Sequence, residues 1–81
     1  MKSHRLVTFS SVMLMYFRRI EELRTDADLR QKDVADYLNM HVTVYRRYEK
    51  GEREIPVWAV IKLAEYYHTT TDYILGLSDR R

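Results

Sequence analysis

The chain has 81 residues, long enough for one domain and too short for a second. It is 46% apolar and 32% charged, with two glycines, one proline and no cysteine. That composition excludes a disordered tail, a turn-rich β protein, a disulfide scaffold and a thiolate metal site. The formal net charge of +2 permits a nucleic-acid partner without requiring one, so the placement of charge decides more than its sum.

Residues 1–12 carry no helical period and are expected to form an N-terminal arm, with the folded domain spanning 13–79. The early apolar stretch is interrupted by Thr8, Ser10 and Ser11, and no small-x-small cleavage site follows it. Neither a secretory leader nor a membrane span is therefore expected, and the protein reads as cytoplasmic. From Ser11 onward Met13, Tyr16, Phe17, Ile20 and Leu23 recur at three- and four-residue steps, which predicts a first helix capped by Ser10 or Ser11. The polar stretch 25–28 breaks it.

A second helix is predicted over about 31–38, burying Val34, Ala35 and Leu38, with Asn39 able to end it in the left-handed conformation. A third is predicted over about 42–50, with Val44, Tyr45 and Tyr48 inward and Gly51 closing it. Pro56 suits the first turn of a fourth helix that would bury Val57, Val60, Ile61, Ala64 and Tyr67. A last short helix is predicted over 72–75, closed by Gly76. The expected architecture is all-α, a compact five-helix domain.

Two short helices joined by a three-residue turn are the geometry of a helix-turn-helix. Ala35 lets the two helices approach closely, and Met40, Tyr45 and Tyr48 anchor the third on the core. That arrangement leaves Val42, Thr43, Arg46, Arg47 and Lys50 outward. With Arg53, and opposed only by Glu49 and Glu52, the cations form a basic stripe suited to phosphates and to guanine in a major groove.

The run QKDVADYLNMHVTVYRRYEKGEREIPVWAVIKLAEYY, followed by TTDYILGLSD and preceded by RRIEELR, resembles the Cro/phage-repressor (xenobiotic-response-element) helix-turn-helix family over about residues 14–79. The resemblance implies a lambda-repressor-like fold and a DNA-binding transcriptional regulator, most simply a repressor acting as a homodimer on a two-fold operator. It places Val42, Thr43 and Arg47 at base-contacting positions, and His41, just before them at the helix entrance, is a further base-contact candidate. It places Gln31, Lys50 and Arg53 beside phosphates, and makes Arg24 with Glu49 a structural ion pair between the first and third helices. The chain departs from the family at Arg30, where a Thr or Ser cap is replaced by a phosphate-seeking cation. Asp28 and Asn39 stand where glycine is usual, and His41 stands where a serine cap is usual. Trp58 occupies a commonly polar outward position and is a candidate protein contact.

The alternative reading is a protein-interaction module, antitoxin-like or an adaptor, built on the same helices. The seven tyrosines fall at helical spacing and read as core and rim packing rather than base stacking. No catalytic set, metal-ligand cluster or cofactor motif is seen, so neither an enzyme nor a cofactor is expected. The sequence ends soon after the fifth predicted helix, so no attached ligand-sensing domain is expected.

Overall fold

The computed structural model describes residues 16–81. Within them lie five helices: α1 Arg18–Asp26, α2 Gln31–Tyr37, α3 Val42–Glu49, α4 Val57–Tyr66 and α5 Thr71–Ile74. The expected arm over 1–12, its proposed serine caps and Met13 lie outside the described residues. Where Tyr16 and Phe17 were expected inside the first helix, the backbone is not yet helical. Phe17 is the N-cap, in extended conformation and without a side-chain cap. Phe17 packs on the core from outside the helix, which is why its spacing mimicked a helical period.

All five helices are stopped by the same device. The residue after the C-cap is left-handed: Asp28 at φ 61°, Asn39 at 58°, Gly51 at 78°, His68 at 56° and Gly76 at 82°. In each case the following N–H reaches back to a carbonyl of the last turn, as from Leu29 to Arg24 at 3.1 Å and from Met40 to Ala35 at 3.0 Å. The same bond runs from Glu52 to Arg47 at 2.9 Å, from Thr69 to Ala64 at 2.9 Å and from Leu77 to Asp72 at 2.8 Å. This 6→1 closure satisfies carbonyls the helix leaves open and turns the chain sharply. Short connections follow, so each helix folds back on its neighbour.

The core lies where the five helices meet. Ile20 and Leu23 from α1, Val34, Ala35 and Leu38 from the α2 region, Tyr45 from α3, and Leu63 and Ile74 from α4 and α5 are all buried. Burying each such large side chain contributes about 1.5–3 kcal/mol. Ala35, on the α2 face that packs against α3, is fully buried and lets the two helices approach.

The fourth helix differs from its expected register. Pro56 is its N-cap rather than a first-turn residue, with φ −71° and ψ 152°. The buried face is Ala59, Val60, Leu63 and Ala64, whereas Val57 is 74% and Ile61 45% exposed. The segment VWAVIKLA is apolar on every side of its first two turns, so periodicity could not choose the face. The two alanines and Leu63 define it.

Candidate nucleic-acid interface

The third helix is held from below and at both ends. Tyr45 is fully buried, and Tyr48 and Val42 pack against the core from partly buried positions. Val42 was expected to point outward. Its side chain instead leans on the core, while Val44, expected inward, is half-exposed and outside that cluster.

At the C-terminal end sits Glu49, 2% exposed and still charged. Arg24 donates to it twice, from Nε at 2.8 Å to Oε2 and from Nη2 at 3.2 Å to Oε1. Gln31 Nε2 donates to Oε1 at 2.8 Å, and the Tyr45 hydroxyl donates to Oε2 at 2.7 Å. Each carboxylate oxygen thus accepts two hydrogen bonds, which uses its full capacity. Burial alone would push the Glu49 carboxyl upward, but the bonds from Arg24, Gln31 and Tyr45 outweigh it and hold it below the usual range. The same contacts act on the partners. The bond to Glu49 raises Arg24, and burial followed by that carboxylate pushes the Tyr45 hydroxyl well up. Arg24 also donates from Nη1 to the Leu29 carbonyl at 2.9 Å, so one guanidinium ties α1 to α3 and to the α1–α2 turn.

At the N-terminal end His41 is the cap. Its Nδ1 accepts from the Thr43 N–H at 3.0 Å, so histidine does here what serine does elsewhere. The departure from the usual serine at this position therefore leaves the first turn capped. The second helix likewise keeps a cap without Thr or Ser. The Asp33 carboxylate accepts from the Arg30 backbone N–H at 2.8 Å, closing the turn from the other side. The Arg30 guanidinium then folds onto Asp33, with Nη2 to Oδ1 at 2.8 Å and Nε to Oδ2 at 3.2 Å. That fork holds the Asp33 carboxyl below its ordinary value. Arg30 is therefore a paired cation rather than a free one.

The outward face carries the remaining residues. Thr43 is half-exposed, and Arg46, Arg47, Lys50 and Arg53 are fully on the surface. None of these four cations has an acidic partner among the described residues. Arg18, Arg19, Arg24, Arg30, Lys32 and Arg81 are all paired. Of the six cations without an acidic partner among the described residues, four thus lie on α3 and the turn after it, the other two being Lys62 and Arg80. Gln31 lies at the start of α2 with one amide proton on Glu49, and its other amide proton and carbonyl make no bond among the described residues. Trp58 stands off this stripe at the start of α4, 49% exposed.

Sequence reasoning missed two links: the donation of Gln31 and Tyr45 to Glu49, and the Asp33 cap. The first had a signal, since Tyr45 precedes Glu49 by four residues and so shares its helix face. The second did too, because an acid at the third helical position is half of a capping box. Among the described residues no helix is long and apolar enough to cross a membrane, and no three His, Asp or Glu side chains are grouped to hold a metal.

Comparison with known proteins agrees with this fold. The family model described as Helix-turn-helix matches residues 20–74. The chain is 32% identical over 65 residues to YobD, an uncharacterized HTH-type transcriptional regulator of Bacillus subtilis, covering 80% of this chain and 58% of that protein. It is 34% identical over 59 residues to the HTH-type transcriptional regulator ImmR of the same organism, covering 73% and 46%. It is 36% identical over 53 residues to RstR, the cryptic phage CTXphi transcriptional repressor of Vibrio cholerae, covering 65% and 48%. The crystal structure of a transcriptional regulator from Listeria innocua superposes with a TM-score of 0.67 at 26% identity, covering 70% of this chain and 53% of that one. The chain spans about half the length of the relatives it matches. With the family model matching well over half of its residues, the chain belongs to the Cro/phage-repressor-type helix-turn-helix family of transcriptional regulators.

Proposed function

We propose that the protein is a sequence-specific double-stranded DNA-binding regulator, a repressor, that lays α3 in the major groove. The observation that carries this reading is the set of four unpaired, exposed cations on α3 and its following turn. Of the other eight described cations, six are paired with acids within the fold, and only Lys62 and Arg80 are not. A cation held without a partner is available to release counterions from phosphate. In the proposed assignment Thr43 and Arg47 meet base edges, with Arg47 forking onto a guanine and Thr43 against a thymine methyl. Val42 contributes at most its outer edge, because it leans on the core. Arg46, Lys50 and Arg53 lie along phosphates, as does Gln31 through the amide proton that Glu49 leaves free. Arg30 joins them only by sharing or leaving Asp33. Two copies would bind a two-fold site in the cytoplasm, with half-site centres about 34–36 Å apart. Exposed Val57, Ile61 and Leu77 supply apolar area for the contact between copies or with a protein partner near Trp58.

The test is the affinity for duplex DNA across a salt series. Three or four phosphate contacts per protomer, six to eight for the two copies, predict a log–log slope of about −5 to −7, and an affinity loss of about 10³- to 10⁴-fold between 50 and 200 mM salt. Replacing Arg46, Arg47, Lys50 and Arg53 together by glutamine is expected to remove the slope while leaving the helical circular dichroism intact. A folded wild type without salt-dependent affinity contradicts the proposal and favours the protein-interaction reading.

A further inference from the structure

The cap of α3 fixes more than the helix. Because the Thr43 N–H donates to His41 Nδ1 at 3.0 Å, that nitrogen presents a lone pair. A neutral imidazole carries one proton, so it resides on Nε2. His41 is exposed, and Nε2 has no hydrogen-bond partner among the described residues. Capping alone does not call for histidine, since serine or asparagine caps at least as well with a shorter side chain. What histidine adds is an N–H donor of fixed position, projecting from the end of the reading helix that approaches base edges.

We infer that His41 is a DNA-contacting residue whose Nε2–H, locked as a donor by the backbone of α3, meets a hydrogen-bond acceptor on the DNA. This inference rests on the DNA-binding reading above. Purine N7, guanine O6, thymine O4 and phosphate oxygens are acceptors and suit it. The exocyclic amines of adenine and cytosine are donors and are rejected. The donor is held without a second side chain, because the ring is already oriented by its own helix.

Two substitutions separate the cap from the donor. His41→Asn keeps an acceptor near the Nδ1 position and loses the donor at Nε2. His41→Gln keeps a donor near Nε2 and loses the cap. Both are measured on sites that the wild-type protein selects from random duplex DNA, well below each variant's melting temperature. The asparagine variant is expected to melt no lower than wild type, yet to bind those sites about five- to tenfold more weakly. The glutamine variant is expected to melt a few degrees lower, as for a lost cap, and to stay within about threefold of wild-type affinity. A base-edge acceptor shows as relaxed preference at one base pair in the asparagine variant. A phosphate acceptor shows as uniform weakening with the motif kept. Wild-type affinity in the asparagine variant overturns the inference, as does a tenfold loss in the glutamine variant. Absence of salt-dependent binding by the wild type overturns the DNA reading itself, which distinguishes the two failures.

Discussion

Glutamic acid at position 49 looks replaceable by its neutral isostere, and the structure says it is not. All four groups around its carboxylate are donors: two from Arg24, one from Gln31 and one from Tyr45. In Glu49→Gln one oxygen becomes an NH2 facing two of those donors. At least one buried donor then loses its acceptor, and a second must rotate away. Each unsatisfied buried group costs about 1–3 kcal/mol, and the lost charge-assisted character adds to it. The substitution is expected to destabilise the fold by about 3 kcal/mol in urea unfolding followed by circular dichroism. For a domain of this size that lowers the melting temperature by about 12–24 °C. Arg24→Met should cost a similar amount, because it leaves a buried carboxylate on two neutral donors. Combining the two should cost much less than their sum, since the second change removes the charge that the first stranded. A Glu49→Gln protein within 0.5 kcal/mol of wild type, on the order of an ordinary surface change, would refute the four-donor geometry.

The same site sets a pH dependence. Glu49 is held below its ordinary value of 4.5, so its contribution is fully present above that pH and is lost as pH falls through the lower folded value. In Arg24→Met, burial dominates and the loss should begin at higher pH, which urea midpoints taken from pH 3 to 7 will show. Gly51→Ala should destabilise by about 1–2 kcal/mol from its left-handed backbone. A further cost arises because the added Cβ would lie 2.8 Å from the Tyr16 Cβ, and thermal melting reads the total. In α4, Val57→Ser should change stability by less than about 0.5 kcal/mol, while Leu63→Ala should cost about 2–5 kcal/mol; equal effects would mean that the helix face is wrongly placed.

The helix-turn-helix itself was legible because its signals agree at several levels. Val34, Ala35 and Leu38 set the face of α2, Asn39 ends it, and Tyr45 and Tyr48 set the underside of α3. Asp28 and Asn39 could be recognised as left-handed stops because their short side chains tolerate that region. His68 was passed over, although histidine too is enriched in that region, because the polar run 69–71 after it reads as the break. The face of α4 was misread because its apolar residues surround the axis, and only packing against α5 chooses among them. The start of α1 was misread because Phe17 reaches the core from an extended segment. At the interface, charges were legible as residue types but not as pairs. Whether Arg30 is free and Arg47 is unpaired depends on side-chain geometry three residues away or across a turn.

The central claim is that the unpaired cations of α3 read DNA sequence, and selection from random duplex DNA tests it most directly with the wild type and Arg47→Ala. The account predicts an enriched two-fold motif whose half-sites lie about one helical turn apart. In Arg47→Ala one guanine position should relax, at a cost of about 1–3 kcal/mol for the wild-type site. No enriched motif from a folded wild-type protein, or an unchanged motif and affinity in Arg47→Ala, would contradict it.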